Sequence, residues 1–467
     1  MSKVLLINPP VFFDKESTPV SLDSSFPPLG LLYLAAVLEK EKISVSFIDV
    51  GATKETLKQI LKKIDKEKPI LIGISAMTPT IQGAVTIAKT IKEKYKNKIK
   101  VCLGGPHVSA DSDFIKRMPY FDFGIKGEGE ITFLKAVKDV LNHKKVSGVI
   151  EGVPEHNLNK IPWPSRHLIN HNLYLTKASL IATRGCPFNC YYCSRPAVSN
   201  IVRCRDPKDI VAEMEALHAN CKGEYLFQDD SLTINRDHTV ELCKEMLASQ
   251  KKFHWAGYTR VDLVDEQLLA LMAKAGCFSL TFGIESGDEK LRNEIVKKHF
   301  TNKQIIKIVN LCNKFHIDAD GFFIFGHPTE TKKQLQKTID FILNNNFNIV
   351  GVSIATPFPG SKLWDYAVED KVIDFKFIDQ YATGQKGEGY AGIYPVYHSS
   401  KIEIEWIYEK RRYIMRHFYL RPTYILKRLI KDFTSISNLK RDYTEAINLL
   451  LKGSSARSPY KKEKKYL

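Results

Sequence analysis

The stretch Thr183-Arg184-Gly185-Cys186-Pro187-Phe188-Asn189-Cys190-Tyr191-Tyr192-Cys193 decides how this chain is read. It follows a short apolar run, Leu180 to Thr183, and sets three thiols at i, i+4 and i+7 on one loop. Three thiolates on one loop can hold three irons of a cubane and leave the fourth iron open, which separates a cluster that binds a ligand from a closed four-cysteine electron-transfer cluster. A structural zinc would want four ligands, and the next candidate, Cys204, belongs to no pair. The chain has nine cysteines, and only these three are tightly grouped. In a reducing compartment such a group reads as metal ligation before disulfides. The isolated Cys102, Cys204, Cys221, Cys243, Cys277 and Cys312 read as small core residues.

Downstream of the loop, strand-like runs recur at Tyr225 to Gln228, Phe253 to Ala256, Phe278 to Ile284, Gly321 to Phe325 and Val350 to Ala355. Helical patterns such as Asp206 to His218 separate them. With Leu180 to Thr183 this makes six strand and helix units, which predicts a partial or full parallel barrel with its site at the C-terminal mouth. Upstream, strands at Val4 to Asn8, Val45 to Asp49, Ile70 to Ser75, Val101 to Gly104 and Phe121 to Ile125 alternate with helices and predict a doubly wound parallel sheet. Ligands of such sheets sit at the carboxyl ends of the strands. Those ends read Asn8-Pro9-Pro10, Ser75-Ala76-Met77-Thr78, Gly104-Gly105-Pro106-His107 and Gly127-Glu128-Gly129-Glu130. Small residues there let a large ligand approach the backbone.

A stretch rich in Pro and Asn, Val153 to His171, reads as a linker. The expected organisation is therefore a sheet domain over 1–145, a linker over 146–175, a barrel over 176–375 and a basic, mainly helical region over 376–467. A chain of 467 residues is about three times a typical domain of roughly 150, so several domains with their own cores are expected. Hydrophobic residues at 44% and charged residues at 26% exclude a disordered or fibrous chain. The start is too short in apolar residues for a signal peptide, and no run approaches the ~18 needed to span a bilayer, so a cytoplasmic location is expected.

The net charge is +17, and from Lys401 onward 17 Lys and Arg face 7 Asp and Glu, so most of the excess is in the tail. Gly384, Gly387, Gly389 and Gly392 suggest a mobile loop before it. In Glu403 to Tyr419 apolar residues recur at helical spacing between Lys410, Arg411, Arg412 and Arg416. Such a helix either packs with a solvated basic face or touches a membrane or an amphiphilic substrate. The aromatic residues Trp406, Tyr413, Phe418, Tyr419, Tyr424 and Phe433 fit a lipid substrate or a polar natural-product precursor.

The triple-cysteine loop, with aromatic Tyr192 before its last cysteine, resembles the signature of the radical S-adenosylmethionine (radical SAM) superfamily. The likeness runs from Ser179 to Lys362 and includes Phe227-Gln228-Asp229-Asp230, Thr259-Arg260, Gly283-Ile284-Glu285-Ser286-Gly287, Phe325-Gly326-His327-Pro328-Thr329-Glu330-Thr331 and Pro357-Phe358-Pro359-Gly360-Ser361. The resemblance implies a 4Fe-4S cluster on Cys186, Cys190 and Cys193, with S-adenosylmethionine on its open iron. Reductive cleavage then gives a 5'-deoxyadenosyl radical. By position on the family pattern, Tyr192, Asp229, Arg260, Glu285 and Ser286 are cofactor-binding candidates. A reducing partner such as flavodoxin or ferredoxin is implied as well.

Pro27-Pro28-Leu29-Gly30-Leu31-Leu32-Tyr33-Leu34-Ala35 and Gly104-Gly105-Pro106-His107 are similar to the cobalamin-binding subgroup of that superfamily. This makes the first region a Rossmann-like cobalamin domain, with Asn8, Ser75, Met77, Gly104, Gly105, His107, Glu128 and Gly129 as candidate contacts. Cobalamin mutases carry Asp-x-His-x-x-Gly after the first strand, whereas this chain has Asn8-Pro9-Pro10 there. Cobalamin is therefore expected without a histidine on cobalt. His107 reads either as a donor to the corrin or as a local brace of its loop.

The resemblance implies a radical methyltransferase acting on an unactivated carbon, or an oxidase or cyclase that uses the same cofactors without methyl transfer. An RNA methylthiotransferase would want a second cluster in the first region, but Cys102 is the only cysteine before Cys186, so nucleic acid is disfavoured. A cobalamin carrier without catalysis would not need the triple-cysteine loop.

Overall fold

The computed structural model describes residues 3–426 except 22–25, 177, 196–197, 222, 375, 386–396, 398–400 and 423. Gly387, Gly389, Gly392, Phe433 and the chain beyond Leu426 lie outside the described residues, and with them most of the expected glycine loop and basic tail.

Two six-stranded parallel sheets organise the chain. The first is built from β1 (Val4–Asn8), β2 (Val45–Asp49), β3 (Leu71–Ser75), β4 (Lys100–Gly104), β5 (Phe123–Lys126) and β6 (Gly148–Glu151) in the order β2-β1-β3-β4-β5-β6. The order reverses between β1 and β3, and a ligand crevice belongs at that switch point. Central strands such as β1, Val-Leu-Leu-Ile-Asn, are apolar without alternation because helices cover both faces. The sixth strand is a difference from the sequence expectation. Gly148–Glu151 forms an edge with exposed ends, so it lacks the apolar signal that marks the other five.

The second sheet runs β12-β11-β10-β9-β8-β7, with β7 (Ser179–Leu180), β8 (Glu224–Phe227), β9 (His254–Thr259), β10 (Cys277–Glu285), β11 (Asp318–Phe325) and β12 (Ile349–Ile354). Every neighbouring pair is parallel, as expected of a partial barrel. The first strand is shorter than Leu180 to Thr183 suggested. Asp229 draws the Ala182 and Thr183 amides to its carboxylate, and Thr183–Arg184 then pair antiparallel with Arg203–Cys204. The chain therefore leaves the barrel at Ile181, just before the cysteines.

The helices that return the chain start on local signals. Thr301 with Gln304, and Thr331 with Gln334, form capping boxes at the starts of helices Asn302–Lys314 and Lys332–Leu343. One core fills the barrel's outer face, and another covers the far face of the first sheet. A third joins first-sheet residues such as Ile74 and Leu103 to Tyr191, Leu363, Ile378 and Tyr381 from the second half. The two sheets thus share buried apolar surface.

The basic helix Ile404–Tyr419 packs on the barrel. Ile404, Ile407, Ile414 and Phe418 are buried in its core, and peeling them off would expose side chains worth roughly 1.5–3 kcal/mol each. Tyr419 Oη accepts from Val350 N at 3.0 Å and donates to Val350 O at 2.9 Å, while Arg411 Nε donates to Val352 O at 2.8 Å. These side chains satisfy the open edge of β12. The apolar face that could have met a membrane is thereby engaged in the fold. Among the described residues no helix is long and apolar enough to cross a membrane.

Candidate cluster and cobalamin site

The cysteine loop is anchored where it begins. At its start Asp229 is buried and accepts from Ala182 N, from Thr183 N at 2.5 Å and from Thr183 Oγ1 at 2.7 Å. Burial raises this carboxyl to about 6 against those bonds. Asp229 thus fastens the loop to β8, and its bonds are to the chain itself. Gly185 sits at φ +92°, and a Cβ there would lie 2.0 Å from Ile201 O, so only glycine fits the bend before Cys186.

The three cysteines are free thiols, each partly exposed. Burial pushes the Cys193 thiol up to about 11; Arg195 N, 3.3 Å from its Sγ, opposes this, and Cys190 and Cys186 add to it. The thiols thus feel one another across the loop. No group of three His, Cys, Asp or Glu side chains collects around a single ion among the described residues. Three soft donors spread over one loop fit a cluster, and deprotonation on iron removes the cost that burial places on the thiolates.

Beside the loop, Glu285 ends β10 at a bulge with φ +70°. Its Oε1 accepts from Tyr192 Oη at 2.5 Å and from Lys298 Nζ at 3.1 Å, all three groups being largely buried. Arg260 does not pair with Glu285. Its guanidinium makes two 2.9 Å bonds to Asp262, donates to Lys298 O at 2.7 Å and lies 3.7 Å from the centroid of the Phe188 ring. Its buried Nη1 has no protein partner, as suits a residue that meets a ligand. Ser286 turns away and bonds Thr338 Oγ1 and Asp288 N. Lys298 and Tyr191 were missed at the sequence level, although Tyr191 stood beside Tyr192 between two candidate ligands.

At the carboxyl edge of the first sheet, Asn8 donates to Asp49 Oδ1 at 3.0 Å, and Tyr174 donates to Asp49 Oδ2 at 2.8 Å. Met77 is 56% exposed, and nothing lies within 4 Å of a Cβ built on Gly104, so this edge offers open surface to a flat ligand. Gly105, at φ +95°, lets Ser75 Oγ and Ala76 close in where a Cβ would meet them at under 3 Å. Gly129 meets only Leu34. His107 is wholly buried, bonded through Nδ1 to Thr78 Oγ1 at 3.1 Å and edge-on to Phe114. Burial lowers it to about 4, so it is neutral. Its Nδ1 bond braces the loop, while its buried Nε2 has no protein partner among the described residues. These residues fit cobalamin with no histidine presented from the loops after β1 and β4.

Glu128 also departs from expectation. Arg203 and Arg184, cross-strand neighbours behind the cysteine loop, both bind its carboxylate, and Arg184 reaches Glu130 at 2.7 Å. Burial raises Glu128, but the two arginines outweigh it and hold the carboxyl below its ordinary value. Arg184 also lies over the Tyr33 ring at 5.0 Å. The loop after β5 is therefore bolted to the short strand that leads into Cys186.

Comparison with known proteins agrees with this arrangement. Residues 180–342 match the family model "Radical SAM superfamily", and residues 20–137 match "B12 binding domain". An uncharacterized methyltransferase of Pyrococcus horikoshii is 30% identical over 95% of this chain and 99% of its own. An anaerobic magnesium-protoporphyrin IX monomethyl ester cyclase of Rubrivivax gelatinosus is 28% identical over 80% of this chain and 71% of its own. The fold is shared with a radical S-adenosylmethionine methyltransferase, TsrM, of Kitasatospora setae, solved with cobalamin and a 4Fe-4S cluster, at TM-score 0.70 and 18% identity over 91% of this chain and 92% of that one. With both family models matched in one chain and a relative matched end to end, the protein belongs to the cobalamin-binding radical S-adenosylmethionine enzymes, whose cofactors are a 4Fe-4S cluster, S-adenosylmethionine and cobalamin.

Proposed function

We propose that the chain methylates an unactivated carbon of a small organic substrate. The observation that carries this reading is the end-to-end likeness to the methyltransferase of Pyrococcus horikoshii, and the bolt between Glu128 and the Arg184–Arg203 pair supports it by setting the cysteine loop beside the carboxyl edge of the first sheet. When bound, the cluster with S-adenosylmethionine supplies a carbon radical, and cobalamin supplies a methyl carrier.

The chain's own part is holding and excluding. Cys186, Cys190 and Cys193 ligate the cluster, while Arg260 and Glu285, fixed by Asp262, Tyr192 and Lys298, face the nucleoside or amino-acid portion of S-adenosylmethionine. Ser75, Met77, Gly104 and Gly105 seat the corrin and its tail, with no protein histidine on cobalt. A small one-electron carrier such as flavodoxin or ferredoxin supplies the electron. The substrate is a natural-product precursor or a lipid that reaches the site from solution, since the basic helix's apolar face is packed on the barrel.

A second reading, an oxidase or cyclase without methyl transfer, draws on the likeness to the magnesium-protoporphyrin ester cyclase. Anaerobically reconstituted enzyme, reduced with S-adenosylmethionine and candidate substrate extracts, decides between them. A rise of both 5'-deoxyadenosine and S-adenosylhomocysteine with a methylated product supports methyl transfer. Deoxyadenosine with a substrate two hydrogens lighter supports the second reading and removes the first.

A further inference from the structure

His327 has no role in the site as described so far, yet it is wholly buried between two of its parts. Its Nδ1 lies 2.6 Å from Tyr191 Oη and its Nε2 lies 3.2 Å from the backbone carbonyl of Glu285. A carbonyl oxygen only accepts, so Nε2 carries the proton; Nδ1 is then an acceptor and Tyr191 the donor. Burial lowers the ring's affinity for a second proton, which keeps this tautomer neutral. The ring itself is held by its backbone: Glu330 Oε2 accepts from Gly326 N at 2.8 Å and from His327 N at 3.2 Å.

Tyr191 and Tyr192 are the two residues between the last two cysteines, and both lead to Glu285. Tyr192 reaches its carboxylate directly; Tyr191 reaches its carbonyl through His327. Glu285 needs such support. A non-glycine residue in the left-handed region persists only where its surroundings over-determine it, and bulges of this kind re-aim a side chain.

We propose that His327 is a positioning residue that locks the Cys190–Cys193 segment to the backbone of Glu285, so that the cluster loop and the carboxylate keep one relative placement. The proposal rests on the reading of Glu285 as a contact of S-adenosylmethionine. In its absence the peptide at Glu285 can relax toward ordinary strand geometry, and the carboxylate leaves its aim while the cysteines stay in place.

The test compares His327→Phe, His327→Gln, Tyr191→Phe and Glu285→Gln in the reconstituted full chain. The readouts are iron and sulfide content, dissociation constants for S-adenosylmethionine, and the change that S-adenosylmethionine causes in the electron paramagnetic resonance signal of the reduced cluster. His327→Phe is expected to keep its cluster but to bind S-adenosylmethionine roughly three- to tenfold more weakly, the weight of a lost neutral hydrogen bond, with a diminished signal change. His327→Gln, whose amide can donate to the carbonyl and accept from Tyr191, is expected to restore binding. Tyr191→Phe is expected to show the same loss as His327→Phe. Wild-type binding in a cluster-loaded His327→Phe overturns the proposal; if that variant fails to load a cluster, wild-type binding in Tyr191→Phe overturns it. Undiminished binding in Glu285→Gln sinks the underlying reading of Glu285, whereas loss there with none in the His327 and Tyr191 variants sinks the positioning role alone.

Discussion

The Arg260 guanidinium stands over the Phe188 ring at 3.7 Å while its Nε and Nη2 are held by Asp262 and Lys298 O. Phe188 lies between Cys186 and Cys190, so the barrel's third strand exit touches the cysteine loop through this stack. Lysine keeps the charge but loses the planar fork and the stack. Arg260→Lys should leave iron content unchanged and weaken S-adenosylmethionine binding by about tenfold or more, measured by equilibrium dialysis.

Cys190→Ala should lose the intact cluster absorption and all 5'-deoxyadenosine, because two thiolates do not hold the cubane as three do. Cobalamin binding should survive, read from the visible spectrum. Retention of both cluster absorption and deoxyadenosine would show that the ligands are assigned wrongly.

Glu330 supplies a pH test. Burial raises its carboxyl from 4.5 to about 8, so the unfolded chain releases this proton near pH 4.5 and the folded chain only near pH 8. Its contribution to stability is therefore complete below pH 4.5 and declines as pH rises to 8, by an order of a few kcal/mol. Glu330→Gln, which mimics the protonated form, should remove that decline. Thermal unfolding of both proteins from pH 5 to 9 checks it: the variant's advantage should grow up to pH 8 and then level off.

Much of this arrangement was readable in the amino-acid order. The cysteine loop and the apolar strands of both sheets carry strong local signals, because burial on two faces forces continuous Val, Leu and Ile. What escaped depends on contacts between distant residues. Glu128 read as a ligand contact because its glycine neighbours suggest a loop near a cofactor; its two arginine partners are more than fifty residues away and sit on a hairpin that no periodicity announces. His107 read as a corrin donor or a loop brace, and its contacts with Thr78 and Phe114 appear only in the fold. His327 was visible inside Phe325-Gly326-His327-Pro328, yet its two partners lie 136 and 42 residues off.

The ion cluster around Glu128 predicts a strong single-site effect. Glu128→Ala leaves Arg203, only 6% exposed, beside Arg184 with like charge and its principal carboxylate gone. Removing one partner of a buried pair costs about 3–5 kcal/mol. The variant should unfold at markedly lower temperature, and proteolysis should separate a fragment containing the first sheet. Glu128→Gln should recover part of the loss.

Tyr419→Phe removes one hydroxyl that serves both a donor and an acceptor of the barrel's edge strand. A loss of about 1–2 kcal/mol is expected in urea unfolding. Hydrogen exchange at Val350 should quicken more than at interior strands.

The bolt formed by Glu128, Arg184 and Arg203 has a kinetic consequence. Two catalytic halves joined by a flexible hinge could admit substrate by yawning apart, and turnover would then follow the viscosity of the medium. Here the fastening is made from the very strand that leads into Cys186, so prising the halves open would drag on the cluster. The fastening favours a route that leaves the two sheets fixed, with the placement of the cysteine loop against the carboxyl edge of the first sheet set once, when the chain folds.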